Sequence, residues 1–417
     1  MTQGTAEHSP DGESPRLWWA MALLPLVLLA GLILLLLRTG PADALKPQGA
    51  PPVERLTVSR IELTADGMVA TVLNDGPDPV TIAQVQVDDA YWQFTIEPGR
   101  ELAHLRRATL KIPYPWVEGE AHLVKVVTST GTTFEREIAV AVETPRPGLR
   151  YFGIFALIGL YVGVIPVGIG LLWFPMVARL GRNGLDFVLA LTVGLLLFLM
   201  VDATVEGMEA AASTPDSSQG TVLFAFAAGG AYLALAALGR WLKGRRAGAR
   251  AISLPGPPEH PGWILALLVA VGIGLHNFGE GLAIGAAFTL GEAALGSLLI
   301  VGFTLHNTTE GLAIVAPLAR RTEEEPGPMP VGALVRLGLI GGVPTIAGAW
   351  VGGFIYSPVW ALLCLAVGVG AIAQVVVQIL GQMSGDEPLG SYMASGPVVA
   401  GLFSGFIVMY ATGMLIG

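Results

Sequence analysis

Apolar residues dominate most of the chain in long segments, and short polar breaks separate these segments. The first apolar segment covers 17–37, and eight more follow from residue 151 onward. Those eight cover 151–175, 185–205, 220–239, 262–288, 293–318, 331–355, 358–381 and 396–416. At about 1.5 Å per residue, each segment is long enough to cross a bilayer as a helix. The pattern predicts a mainly α, polytopic membrane helix bundle, with a transmembrane anchor helix over 17–38 and an eight-helix domain over 151–417.

The first segment has an alternative interpretation as a signal peptide that is cleaved. Ala42, Asp43 and Ala44 resemble a small-residue cleavage site. The apolar core of a signal peptide is normally shorter, roughly 7–15 residues. We therefore favour an uncleaved anchor that follows a cytoplasmic N-terminus over 1–16.

Residues 51–147 have a different pattern, in which turn signals separate short runs of alternating apolar and polar residues. Two of these runs cover 80–87 and 122–127. Alternation with a period of two, at this spacing, is typical of the strands of a small all-β sandwich. The sequence therefore predicts a β-domain over 51–147. His104 and His122 are isolated histidines in this region, and we interpret both as surface residues.

The composition supports this division and excludes several classes of protein. Apolar residues make up 53% of the chain and charged residues 13%, about half the usual share for a soluble domain. A purely soluble enzyme and a disordered chain are thereby excluded. The one cysteine, Cys364, leaves no internal disulfide framework and no Cys-based zinc ribbon. The net charge of −9 argues against nucleic acid as a partner, whereas the apolar segments imply the lipid bilayer.

Basic residues mark alternate breaks between the eight predicted spans. The first break has Arg179 and Arg182, and the fifth has Arg320 and Arg321. The third break contains Arg240, Lys243, Arg245, Arg246 and Arg250. Because Lys and Arg favour the cytoplasmic side, we expect both ends of the eight-helix domain to lie on the extracytoplasmic side of the cell membrane. The β-domain and the C-terminus are then extracytoplasmic.

Ionisable side chains within the predicted spans form a repeated motif. The fourth span contains His276-Asn277-Phe278-Gly279-Glu280-Gly281, and the fifth contains His306-Asn307-Thr308-Thr309-Glu310-Gly311. A charged group at membrane depth costs roughly 2.5–3.5 kcal/mol on insertion scales, so such groups indicate function. A single His in an apolar helix is more often structural. Two copies of the same motif on consecutive spans instead indicate metal binding.

Two further spans contain polar pairs with the same spacing. The second span has Asp202 and Glu206, and the seventh has Gln374 and Gln378. Residues four apart stack on one helix face, and the two motif asparagines can join the faces of their glutamates. This set of imidazole, amide and carboxylate donors suits a divalent metal such as Zn²⁺ or Fe²⁺. The glutamines have an alternative role in interhelical hydrogen bonds, and Glu209 is interpreted as an interfacial residue.

The region from Tyr151 to Gly417 resembles the ZIP metal transporters, which are eight-helix carriers of zinc and other divalent cations. The most specific part of the resemblance is His276-Asn277-x-x-Glu280-Gly281 in the fourth span. In that family, helices two, four, five and seven surround the transport site, and both ends of the helical domain lie outside. The resemblance implies that the ligands come from His276, Asn277, Glu280, His306, Asn307, Glu310, Asp202, Glu206, Gln374 and Gln378.

The sequence departs from the family pattern at several positions. Asn307 stands where the family usually has a carboxylate, and Asp202 where it usually has His. Gln378 stands where a Glu is common, and many members have Pro at the positions of Gly279 and Thr309. The resemblance therefore implies one intact metal position, next to a second position that is depleted of carboxylates.

Together these patterns predict a transporter that moves a divalent metal into the cytoplasm, with Zn²⁺ first and Fe²⁺, Mn²⁺ or Cd²⁺ as alternatives. We expect no enzymatic activity and no cofactor beyond the transported metal, and a second copy of the chain is a candidate partner. An intramembrane metalloenzyme and a metal sensor stay open as alternatives. A zinc protease would require His-Glu-x-x-His and a di-iron enzyme Glu-x-x-His pairs, and the eight predicted spans contain neither string.

Overall fold

The computed structural model of the protein describes residues 15–39, 52–212, 214, 218–247, 262–290, 293–319, 329–355, 357–385 and 388–414. Several predicted features lie outside this part of the chain: most of the N-terminal segment 1–16, the cleavage-like residues 42–44, and Arg250, Arg320 and Arg321. The chain divides into two compact units, Met1–Val53 and Glu54–Gly417. In the first unit, α1 (Pro15–Thr39) is one helix of 25 residues that covers the predicted anchor. Its side chains from 23 to 35 are all exposed.

The second unit begins with a β-domain made of nine strands. These strands are β1 (Leu56–Thr64), β2 (Gly67–Asn74), β3 (Val80–Val87), β4 (Ala90–Trp92), β5 (Thr95–Glu97), β6 (Glu101–Leu102), β7 (Arg107–Ile112), β8 (His122–Thr128) and β9 (Thr133–Ile138). The strands pair antiparallel throughout: one sheet has the order β1-β2-β7-β5, and the other has β4-β3-β8-β9 with β6 beside β3. Alternate residues of both sheets form one apolar core, which includes Val72, Leu110, Ile82 and Val126. The prediction of a separate β-domain is confirmed.

His122 is not a surface residue, contrary to the prediction from its isolation in sequence. It is 3% exposed, and its Nδ1 lies 2.8 Å from Asp88 Oδ2. Tyr114 donates a hydrogen bond to the same oxygen, and the Leu123 N–H donates to Asp88 Oδ1. Burial alone would raise the pKa of Asp88, but these hydrogen bonds outweigh it and lower the pKa. The error has a simple cause, since the strand pattern does not show that a neighbouring turn supplies a carboxylate.

Eight helices of the second unit are long and apolar enough to cross a membrane. The first span combines α2 (Leu149–Gly159), a π-helical turn (Leu160–Val164), α3 (Ile165–Leu171) and α4 (Phe174–Val177). The second to fifth spans are α5 (Arg182–Ala212), α6 (Gly220–Ala247), α7 (Trp263–Thr289) and α8 (Ala293–Val315), the last extended by a 3₁₀ turn (Ala316–Ala319). The sixth span combines α9 (Val331–Gly342) and α10 (Pro344–Ile355). The seventh is α11 (Pro358–Ser384), and α12 (Leu389–Met393) precedes the eighth, α13 (Gly396–Met414).

The prediction of a mainly helical chain with eight apolar helices is confirmed, and α7 occupies the centre of the bundle. About 78% of its most apolar 18-residue stretch is buried, a larger share than in any other span. It packs against α10, α11 and α8. Such a helix must be apolar on most sides, because it meets protein around most of its circumference. Polar side chains on α7 therefore require partners from neighbouring helices.

Candidate metal centre

The two motif histidines lie at the midpoints of their spans. His276 is thirteen residues from each end of α7, Trp263 and Thr289. His306 is thirteen residues from each end of the region that α8 forms with its 3₁₀ turn, Ala293–Ala319. At 1.5 Å per residue, both imidazoles are about 20 Å from the helix ends. Both polar groups thus lie as far as possible from the ends of their helices.

His276, Glu280 and His306 form a compact group of potential metal ligands. Within the part of the chain that the structure describes, their ligand atoms all lie within 4.8 Å of one another, and all three residues are buried. His306 Nε2 is 2.5 Å from Glu280 Oε1, a hydrogen bond between the fifth and fourth spans. His276 Nε2 is 3.3 Å from the same oxygen but is not aligned for a hydrogen bond. Tetrahedral zinc with ligands at about 2.0–2.1 Å separates neighbouring ligand atoms by about 3.3 Å, so small side-chain shifts would admit the ion.

Asn307 joins this group through its amide nitrogen. Its Nδ2 donates to Glu280 Oε2 at 3.0 Å and to the Val162 carbonyl of the first span, also at 3.0 Å. Asn277 donates in the same way to the Gly341 carbonyl of the sixth span, at 3.1 Å. Both asparagine side chains are fully buried, and both Oδ1 atoms accept no hydrogen bond in the described residues. These oxygens are the atoms that each asparagine could offer to a cation.

Glu310 is the fourth member of the predicted set, and its surroundings differ from those of Glu280. It is 2% exposed, and neither carboxylate oxygen accepts a well-aligned hydrogen bond in the described residues. It interacts electrostatically with Glu280, His276 and His306, which places it at the edge of the same group. Burying an unpaired carboxylate is costly, so this position is chemically suited to a nearby cation.

The second span contributes Glu206 but does not bring Asp202 inward. Glu206 is half-buried and interacts electrostatically with His276 and Glu280. Asp202 is exposed, contrary to the predicted inward face. Four residues turn a helix about 40° beyond one full turn. Because Glu206 already lies at the edge of the buried face, this rotation is enough to leave Asp202 outside it.

The two predicted glutamines of the seventh span lie at different distances from the group. Gly368 of α11 packs against the backbone of His276. Gln374 is about 9 Å farther along the helix axis and Gln378 about 15 Å. Gln374 is 3% exposed with an unpartnered Oε1, whereas Gln378 lines a separate cavity of about 490 Å³ with Lys243. The structure therefore does not place Gln378 with the histidines, because the four-residue step carries it along the helix axis and away from them.

A second cavity, of about 320 Å³, approaches the group from the opposite end of the bundle. Glu206 and Glu209 line it together with Gly279, which precedes Glu280, and Arg136 of β9 also contributes. The sequence predicts an interfacial position for Glu209, and in the structure it shares this cavity with Glu206. The signal in the sequence was the three-residue spacing, which puts both carboxylates on neighbouring positions of one helix face. Arg136 had no comparable signal.

No protein-family model matches this chain, and no curated protein is similar to it. The resemblance to ZIP transporters therefore stays a prediction from the motif residues alone.

Proposed function

We propose that the protein is a membrane transporter for a divalent metal cation, with Zn²⁺ as the first candidate and Fe²⁺, Mn²⁺ or Cd²⁺ as alternatives. The observation that carries the proposal is the buried group of His276, Glu280 and His306 at the midpoint of two spans. Imidazole and carboxylate ligands suit zinc and its first-row neighbours. The proposal assigns the protein to the ZIP-like carriers on the strength of this group and its motif.

A route to and from the group supports transport rather than storage. The Glu206 and Glu209 cavity reaches Gly279, next to Glu280, from one end of the bundle. Gln374 is buried between the group and the cavity of Lys243 and Gln378 at the other end. A carboxylate-lined approach would concentrate cations, and neutral amides would bind them weakly enough to release them. The metal would thus pass from the glutamates, through the group, to the glutamines.

The charges at the two ends of the bundle support an orientation of the chain in the membrane. Arg179, Arg182 and Lys243 lie near the end with the glutamine-lined cavity, and Glu209 lies at the other end. By the positive-inside rule, the basic end is cytoplasmic. The β-domain and the C-terminus are then extracytoplasmic. We propose that the protein lies in the cell membrane and that the cation moves through it into the cytoplasm. We propose no enzymatic activity.

Uptake into sealed vesicles tests the proposal directly. The purified full-length chain would be reconstituted in proteoliposomes that contain a zinc-sensitive dye, and Zn²⁺, Fe²⁺, Mn²⁺ and Cd²⁺ would be compared. We expect saturable uptake that Glu280→Gln abolishes and that Asp202→Asn, a carboxylate change on the exposed face of α5, leaves intact. Tight metal binding without uptake would contradict transport and favour a sensor or an intramembrane metalloenzyme.

A further inference from the structure

Two of the eight spans are interrupted at their middle, and the interruptions touch one another. In the first span, the Ile165 N–H donates to Leu160 O, five residues back, and Pro166 follows. In the sixth span, α9 ends at Gly342 and α10 begins at Pro344. Gly163 and Gly342 have no side chain at the crossing, so the two backbones approach closely there, beside Thr345. π-turns and prolines inside helices are frequent where a helix bends or serves a function.

Each interruption receives a hydrogen bond from one motif asparagine. Asn307 Nδ2 donates to Val162 O, four residues before Pro166. Proline has no N–H, so Val162 O cannot accept the regular α-helical hydrogen bond, and the asparagine amide supplies a donor in its place. Asn277 Nδ2 donates to Gly341 O, three residues before Pro344. The repeated motif thus makes the same kind of contact twice, once with each interrupted span.

The Asn307 amide also determines how the Glu280 carboxylate is turned. Its nitrogen has two hydrogens and two acceptors, Val162 O and Glu280 Oε2. Because the Asn307 amide holds Oε2 of Glu280, Oε1 faces the nitrogens of His276 and His306. A partner that orients a metal-binding carboxylate in this way commonly contributes to affinity without touching the metal.

We propose that Asn307 is a positioning residue that orients Glu280 for the cation and joins it to the interruption of the first span. This inference rests on the proposed function and adds a coupling: metal binding at the group and the backbone order of the first-span interruption change together. When a cation binds, the hydrogen bond between His306 Nε2 and Glu280 Oε1 must break. One imidazole nitrogen cannot bind the metal and hydrogen-bond to the carboxylate at the same time. The remaining bond to Asn307 transmits that rearrangement to Val162. Asn277 forms the corresponding link to the sixth span, because it contacts Gly341 O and also interacts with Glu310.

Hydrogen–deuterium exchange of the full-length protein in lipid nanodiscs, with and without Zn²⁺, tests this coupling. Asn307→Asp keeps an oxygen in place but removes the N–H donor, and Asn277→Asp is the matched variant for the other link. In Asn307→Asp we expect exchange of the first-span segment 160–167 to rise about fivefold without metal, as expected for the loss of one hydrogen bond. Zn²⁺ should then no longer protect that segment, while its protection of the sixth-span segment 338–347 persists. Asn277→Asp should show the reverse.

Native exchange in both Asp variants would contradict the proposed positioning role. If the asparagines act only as ligands through Oδ1, the Asp variants keep the ligand, exchange at both interruptions stays native, and the proposal is overturned. Should an Asp variant unfold, exchange would rise in α11 as well, and Pro166→Ala then replaces it. That change supplies an N–H four residues after Val162 that competes with Asn307 for the carbonyl. It should alter exchange in the first span and leave the sixth unchanged; no first-span change would also overturn the proposal.

Failure of transport can be separated from failure of this coupling. If the native protein neither binds Zn²⁺ nor takes it up, the proposed function is wrong, whereas the metal-free exchange data still decide whether Asn307 holds the interruption. If the native protein transports Zn²⁺ but both Asp variants keep native exchange, only the coupling is wrong. In the expected case, Asn307→Asp lowers the maximal uptake rate more than it raises the half-saturating Zn²⁺ concentration.

Discussion

The fourth and fifth spans contain the same motif, yet their two glutamates have different surroundings. Glu280 of α7 lies beside both imidazoles and accepts hydrogen bonds from His306 and Asn307. Glu310 of α8 is equally buried, and its oxygens accept no well-aligned hydrogen bond in the described residues, although Asn277 interacts with it. The helices explain the difference, because α7 lies at the centre of the bundle and α8 nearer its edge. A repeated motif therefore supplies two sets of ligands, and packing decides which glutamate becomes the centre of the site.

The largest expected effect distinguishes the two glutamates directly. Glu280→Gln removes the charged ligand that both imidazoles face, whereas Glu310→Gln removes a carboxylate at the edge of the group. Changes to residues around a metal typically cost 10–100-fold in affinity, so losing this central ligand should cost roughly 100-fold or more. Glu310→Gln should cost about tenfold. Titration calorimetry of the purified variants with Zn²⁺ provides both constants. Equal losses would show that the two motif copies are equivalent ligands and that the comparison is wrong.

The next effect separates the two histidines. His276→Gln and His306→Gln should each weaken Zn²⁺ binding by at least about tenfold, because each removes one imidazole ligand. Only His306→Gln should destabilise the metal-free protein, by about 1–3 kcal/mol, since it removes a buried hydrogen bond to Glu280. Thermal unfolding in detergent without metal measures this, with His276→Gln as the control. The opposite order of stability would mean that His276 is the main partner of Glu280.

A smaller effect extends the comparison to the seventh span. Gln374 is buried near the group, whereas Gln378 lines the cavity of Lys243. Gln374→Leu should lower Zn²⁺ affinity or the uptake rate by up to about tenfold, and Gln378→Leu should keep the affinity within about twofold. Both variants preserve side-chain volume and helix formation. A larger loss of affinity in Gln378→Leu would place that side chain at the site after all.

A similar contrast applies to the second span. Glu206→Gln should lower the uptake rate at low Zn²⁺ several-fold, because one of the two cavity carboxylates then no longer attracts cations. Asp202→Asn should leave uptake within about twofold. Initial rates at low and at saturating Zn²⁺ separate capture from turnover. An equal effect of Asp202→Asn would indicate that the exposed carboxylate also faces the route.

The smallest effect is expected from removing the β-domain. Deleting residues 51–145 while keeping α1 should leave uptake substantial, because all members of the metal group come from α7 and α8. Arg136 is the one β-domain residue that lines the glutamate cavity, so the deletion also tests whether it influences capture. Arg136→Gln in the full-length chain is the matched variant. If a well-folded, membrane-inserted deletion variant lost all uptake, the prediction that transport needs only the membrane spans would be wrong.

The helices and strands could be predicted from the sequence because physical constraints act on each of them locally. A bilayer imposes a length and an apolar composition on every helix that crosses it, so eight long apolar segments predict eight helices. The period-2 pattern of 80–87 and 122–127 likewise predicted strands, since one side of each sheet must be buried. The predicted boundaries were less accurate: α5 continues to Ala212, beyond the end predicted at 205, and so includes Glu206 and Glu209 in one helix.

The site was predicted in composition but not in arrangement. Four-residue spacing correctly indicated that His276 and Glu280 share a helix face, because that relation depends on one helix alone. The same rule did not indicate that Asp202 is exposed, or that Gln378 lines a cavity with Lys243. Spacing does not report where the edge of a buried face lies, nor how far along its axis a helix meets its neighbour.

The number and type of the elements, the two motif copies and the chemistry of their donors can be predicted from the chain alone. These properties depend on local periodicity and on the cost of placing polar groups in an apolar segment. Three-dimensional packing was needed to show that Glu280 lies between two imidazoles, that Glu310 lies at the edge, and that Asn307 reaches the carbonyl of Val162. The contacts of Glu280 with His306 and of Asn307 with Val162 join residues 26 and 145 positions apart in the chain. They arise from the packing of the first, fourth and fifth spans against one another, which no local pattern encodes.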